Sequence, residues 1–207
     1  MENSQPTNAD QFKSLDLDTL QSVEEVIKAA DTLTQSGDYP AALKAFHQAL
    51  DIMEPKDPKH FEVYKNMGNL YLKCGDIDAA EEKYNLANAM NSQDQNLIIN
   101  YGVLAIQKGN YEEAKSRFAE VISLNNSSDL AWVGLGLVHR AHADHDLARA
   151  CILRGLDENP YNKLAITNYY QWCYQDGIDS SDEFVVNFLD KYPDDVEISK
   201  LASGIHQ

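Results

Sequence analysis

The chain has 207 residues, a hydrophobic content of 43%, a charged content of 24% and a formal net charge of -16. That length allows a substantial core but few domains. The acidic balance excludes the basic face that neutralises nucleic-acid phosphates and argues against docking on anionic lipid. The first residues, Met1-Glu2-Asn3-Ser4-Gln5, lack the basic start and apolar run of a secretion signal, and no apolar stretch reaches ~20 residues, so no membrane insertion is expected. Cys74, Cys151 and Cys173 are odd in number and form no CxxC pair, which fits a cytoplasmic, reducing setting.

Residues 1–17 are polar and read as a flexible arm, with Leu15, Leu17 and Leu20 placed to dock it, and residues 18–207 read as one domain. Ser22 followed by Glu25 has capping-box spacing, so a first helix starts there. Val26, Ala29, Ala30 and Leu33 form its apolar face. Gly37-Asp38 makes a turn, and Pro40 sits early in the return helix, where its missing N–H costs nothing. This first unit, about 23–56, stands 38 residues before the next, with the excess in the two-proline stretch Met53 to Pro58.

A fixed period then takes over. Gly68, Gly102 and Gly136 are spaced by 34 residues, as are Ala80, Ala114 and Ala148; Tyr84, Phe118 and Ile152; and Tyr64, Ile98 and Trp132. A constant step of this size in several columns marks stacked two-helix units, at about 61–94, 95–128 and 129–162. Each hairpin buries its apolar face only against its neighbours. The spacing places Gly of the first helix opposite Ala of the second. Turns fall at Gly75-Asp76, Gly109-Asn110 and Ala143-Asp144. Where Ala143 replaces glycine, a left-handed residue should cost about 1 kcal/mol. A degenerate unit follows at about 163–193, with Tyr170 in the glycine column and Asp182 in the alanine column, then a short helix at about 194–206.

These columns resemble the tetratricopeptide repeat. Tyr64, Met67-Gly68, Tyr71, Ala80, Tyr84 and Ala87 follow its pattern in one unit; Trp132, Leu135-Gly136, Ala148 and Pro160 follow it in another. The resemblance implies an all-α fold, a right-handed α-α superhelix of about five hairpins with a degenerate C-terminal cap. It also implies protein binding in a concave groove lined by the first helix of each unit. Carried over position by position, that groove includes Lys65, Asn66, Asn69, Ile99, Asn100, Val103, Leu130, Val133, Leu137, Arg140, Asn168 and Gln171. The family's clamp for C-terminal carboxylates is matched at Lys65, Asn69 and Asn100 but not at Leu130 and Gly134. Asparagine amides both donate and accept, so they suit an extended peptide. Ile99, Val103, Ile106, Leu130, Val133 and Leu137, with space left by Gly134, suit an apolar peptide or amphipathic helix; alternatively neighbouring helices or the arm cover them.

Other residues carry less. His139, His142 and His145 have a spacing that zinc tolerates, yet His139 falls on a packing column and the run crosses a turn. Cys151 and Cys173 fall on packing positions. No nucleophile–base set, phosphate loop or metalloprotease motif is present, so no enzyme, no cofactor and no metal is expected. The C-terminal aromatics, among them Tyr161, Tyr169, Tyr170, Trp172, Tyr174, Phe184, Phe188 and Tyr192, read mainly as core, with a share available for a homodimer face. The functional expectation is a non-catalytic scaffold or adaptor. The alternative is an assembly or secretion chaperone, of the kind that includes pilus-assembly proteins, shielding an apolar partner.

Overall fold

The computed structural model describes residues 22–178 and 183–205. The expected arm, Asp182 and His206 lie outside the described residues. Within them the chain is helical throughout: α1 Val23–Ser36, α2 Tyr39–Ile52, α3 His60–Lys73, α4 Ile77–Met90, α5 Gln95–Gln107, α6 Tyr111–Leu124, α7 Asp129–Ala141, α8 His145–Glu158, α9 Lys163–Asp176, α10 Glu183–Lys191 and α11 Val196–Ile205. Two compact units divide inside α5, between Leu97 and Ile98.

In the first unit, α1 begins with a reciprocal cap. Ser22 Oγ accepts from the Glu25 N–H and the Glu25 carboxylate accepts from the Ser22 N–H, both at 3.2 Å. It ends at Gly37, whose φ of 83° is left-handed. Asp38 then caps α2 by accepting from the Ala41 N–H. Asp76 repeats this before α4, accepting from the Ala79 N–H. Short side-chain acceptors satisfy donors that a helix start leaves open. Val26, Ala30, Phe46, Ala49, Met67 and Leu70 form the core.

In the second unit, Asn110, Ser128 and Asn162 cap α6, α7 and α9 in the same manner. One core cluster centres on Phe118 with Ile98, Val121 and Val138. Another gathers Ile152, Leu156, Ile166, Tyr170, Trp172 and Phe188.

The glycine columns work differently from the sequence expectation. A methyl group on Gly68 would come within 2.3 Å of the Tyr84 ring, and one on Gly102 within 2.7 Å of the Phe118 ring. The nearest neighbour is therefore the aromatic of the return helix, not Ala80 or Ala114. Gly136 keeps the expected partner: a methyl there would lie 3.1 Å from the Ala148 carbonyl oxygen. The turn expectation holds. Ala143, with φ 60°, is the non-glycine residue with positive φ among the described residues.

Candidate partner-binding site

Three of the expected groove residues stand on α3 of the first unit, and each already has a partner there. Lys65 Nζ lies 3.5 Å from Asp94 Oδ1 and 4.8 Å from the centre of the Phe61 ring. Asn66 Nδ2 donates to Asp31 Oδ1 at 3.2 Å. Asn69 Oδ1 accepts from the Tyr84 hydroxyl at 2.8 Å. Burial, with Glu62 nearby, pushes the Asp31 carboxyl above its ordinary pKa, and the Asn66 amide offsets part of that. A peptide gripped by these side chains must first displace these bonds.

In the second unit the apolar positions separate. Ile99, 7% exposed, belongs to the Phe118 cluster, and Val103 packs partly buried against it. Val133, 1% exposed, lies in the Ile152 cluster, with Leu137 packed against it. The space expected at Gly134 is filled: a methyl group there would meet the Phe118 ring at 2.3 Å. Leu130 stays exposed at 44%. A helix apolar on more than one face is held between neighbours, and here α7 is such a helix. Asn100 is half-buried.

α7 and α9 are tied side by side at both ends. At one end Asp129 Oδ2 accepts from Nδ2 of Asn159 and of Asn162, each at 2.8 Å. At the other, Arg140 donates to Asp176 Oδ2 at 2.7 Å and to Gln175 Oε1 at 2.8 Å, above the Trp172 ring. Arg149 and His145 also meet Asp176, at 2.5 and 2.8 Å. The Arg140 bond, helped by His145, holds the Asp176 carboxyl down at about 2. Arg140 is thus a strut between two hairpins. The partner was legible in principle, because Asp176 lies about one repeat downstream. Asn66–Asp31, Lys59–Glu24 and Lys163–Asp195 follow the same rule. Opposite polarity at an offset near the period is the signal.

Along this tied pair runs a stripe at helical spacing. On α7 it is Leu130, Leu137 and Arg140; on α9 it is Leu164, Asn168, Gln171 and Tyr174 with Gln175. The Arg140–Gln175 bond puts both stripes on one side. Leu164 is 52% and Tyr174 85% exposed; Gln171 is exposed. Asn168 donates back to the Leu164 carbonyl of its own helix.

The three histidines diverge. His139 faces Asp144 at 3.4 Å, His142 the Val138 carbonyl at 3.1 Å, and His145 faces Asp176. Among the described residues no three metal-ligating side chains converge. Cys151 and Cys173 are buried, and burial raises both thiol pKa values.

Two family models, both described as tetratricopeptide repeat, match residues 24–92 and 102–163. The chain belongs to the tetratricopeptide repeat family. A Bos taurus relative described as BBSome complex member BBS4 is 27% identical over 90 residues, 44% of this chain and 17% of that protein. The chain therefore spans under a fifth of that relative's length. Among solved structures, the thermophilic tetratricopeptide protein TTC0263 of Thermus thermophilus is 20% identical and superposes with a TM-score of 0.76, over 90% of this chain and all (100%) of that one. Cut9–Hcn1, an APC/C hetero-tetramer, gives 0.68 at 19% identity, over 96% of this chain and 39% of that one. PilF of Pseudomonas aeruginosa gives 0.61 at 18%, over 88% of each chain. At these identities the likeness establishes the fold, the all-α tetratricopeptide-repeat solenoid, whose members in general mediate protein–protein interaction. No helix among the described residues is long and apolar enough to cross a membrane.

Proposed function

We propose that this chain is a non-catalytic adaptor whose α7–α9 face holds an apolar stretch of a partner protein, as an amphipathic helix or an extended peptide. The observation that supports it is the exposure of Leu130, Leu164 and Tyr174 on two helices locked together at both ends. A rigid platform costs little to order on binding, and tyrosine is a favoured anchor. Covering about 300 Å² of apolar surface contributes about 7 kcal/mol before association costs, which leaves affinity near the micromolar range. Leu137, Gln171 and the half-buried Asn100 fit the periphery of such a site. On the first unit, taken by itself, Lys65, Asn66 and Asn69 hold a peptide only after exchange of their internal bonds. Residues 18–207 are taken as one interaction domain, and three free thiols suit a reducing cytoplasm.

The chaperone alternative needs a broader apolar trough. Burial of Ile99 and Val133 removes two of its six wall residues. A homodimer through the C-terminal aromatics is narrowed to Tyr161, Tyr174 and Tyr192, because Tyr169, Tyr170 and Trp172 are buried.

The test compares wild type with Leu130→Asp/Leu164→Asp as immobilised baits in quantitative affinity capture, with circular dichroism verifying equal helicity. Both positions are exposed, so folding is preserved. Depletion of a captured protein by about tenfold or more, the loss of about 1.4 kcal/mol, supports the site. An identical set of captured proteins on both baits overturns it. Sedimentation velocity of the same pair reads out a second copy as the occupant.

A further inference from the structure

Beside the N-terminal end of α9, the second unit carries a cleft of about 650 Å³ between the start of that helix and the α10–α11 link. Three aromatic rings line it. Phe188 and Tyr192 pack with ring centres 4.9 Å apart, and Tyr161 stands edge-on to Tyr192 at 6.3 Å. Tyr161 and Tyr192 remain exposed, at 37% and 43%, although Tyr169 and Tyr170 nearby in sequence are buried. Their π faces hold a cation: Lys191 Nζ sits 3.8 Å from the centre of the Tyr161 ring and 5.4 Å from that of Tyr192. Lys163, Pro193, Asp194 and Asp195 complete the lining. Asp195 is fixed by the Ile198 N–H at 2.9 Å and by Lys163 Nζ at 2.8 Å, so the acidic rim is preorganised.

Aromatic faces beside carboxylates attract organic cations through the ring quadrupole and through charge. The occupant here is the chain's own, on a flexible four-carbon stem adjacent to Tyr192, and such a stem leaves without disturbing the backbone. A formal charge of -16 steers cationic segments toward the protein.

We propose that this cleft recognises a lysine or arginine side chain of a partner polypeptide, with Lys191 as the exchangeable resident cation. The proposal is independent of the α7–α9 face: a partner binds either site or both.

The experiment titrates isotope-labelled full-length protein with N-acetyl-arginine amide and, as a neutral isostere, N-acetyl-citrulline amide, followed by NMR. The arginine probe is expected to shift the Tyr161, Phe188 and Tyr192 signals saturably, and the citrulline probe to leave them in place. Lys191→Met removes the competitor and tightens arginine binding by about threefold or more; Tyr161→Leu, in an exposed position outside the helices, weakens it by a similar factor. Salt at about 0.5 M lowers the affinity. Equal shifts from both probes, shifts confined to other residues, or a Lys191→Met variant that binds no tighter each overturn the proposal. Tyr174→Ala, which removes the exposed anchor of the α7–α9 face near the opposite end of α9 from the cleft, leaves this titration unchanged, which separates failure here from failure of the α7–α9 reading.

Discussion

The α5–α6 and α7–α8 hairpins and the α9–α10 hairpin hold their helices together by opposite means. In the former, the Phe118 ring is pressed between backbone at Gly102 on its own hairpin and backbone at Gly134 on the next. In the latter, Tyr170 fills the glycine column at 2% exposure, and rings pack on rings, with Tyr169 edge-on to Tyr170 at 5.3 Å and to Phe184 at 6.0 Å. Side-chain struts at both ends of α9 add what close backbone approach supplies elsewhere. The column of Gly134 holds Asn100 one repeat earlier and Asn168 one repeat later, so this ring between two glycines is particular to the α5–α6 and α7–α8 pair. In α9–α10 Tyr170 stands in the column of Gly102 and Gly136, so that hairpin packs through side chains where its neighbours bring backbone close.

That contrast breaks most visibly at Tyr170. Tyr170→Gly restores the family's letter but leaves a cavity among fixed rings, so a loss of about 4 kcal/mol is expected in urea unfolding. A loss under about 1 kcal/mol means the last hairpin collapses onto the regular packing, and the contrast disappears. Gly134→Val is next, at about 2 kcal/mol, because the added carbon meets the fully buried Phe118 ring. Phe118→Leu in the same chain should recover part of that loss, and the coupling in a double-mutant cycle measures the socket directly.

The same residues mark what is legible in the sequence and what is not. The period, the helices and the turns were readable because each rests on local chemistry: Ser22 with Glu25, glycine after the first helix, small residues in columns. The non-glycine turn at Ala143 was also anticipated. Two things were not. The glycine columns showed that something comes close, not that it is Tyr84 or Phe118, because close approach leaves no mark on the partner. The expected grip of Lys65, Asn66 and Arg140 looked free because their partners Asp94, Asp31 and Asp176 lie about one repeat away. Likewise an apolar residue on a repeat helix reads as groove or core alike until a neighbour such as Phe118 is placed against it.

Acid sharpens the comparison between the units, since their half-hidden aspartates respond with opposite sign. Asp176 has a folded pKa of about 2, below the ordinary value of about 3.9. Its contribution is present above the ordinary value and is lost as pH falls through about 2, so the α7–α9 strut loosens across that window. Asp176→Asn should be less stable than wild type at neutral pH and converge with it at the acid end. Asp31 is raised by burial and by Glu62. Its favoured state is protonated, so its contribution is full below the ordinary value and is lost as pH rises through the raised one. Asp31→Asn keeps an acceptor for Asn66 and removes the charge, and should raise the midpoint at pH 7 with the gain vanishing below about pH 4. Melting curves against pH for the two variants test both signs.

The smallest effect isolates the turns. Ala143 holds φ 60° where Gly75 and Gly109 hold 79° and 73°, and the Ala143 N–H still bonds the Arg140 carbonyl at 3.0 Å. A left-handed alanine costs about 1–2 kcal/mol, but replacing it by glycine returns about 0.4–1 kcal/mol of entropy to the unfolded chain. Ala143→Gly should therefore gain about 0.5–1 kcal/mol. In Gly75→Ala a methyl group meets nothing within 4 Å, so that change should lose a similar amount through backbone strain alone. If Gly75→Ala costs what is expected while Ala143→Gly gains nothing, the α7–α8 turn has relaxed around its alanine and the strain lies elsewhere in the hairpin. If both are flat, the left-handed turn is dictated by stacking of the hairpins and the residue at its corner is incidental.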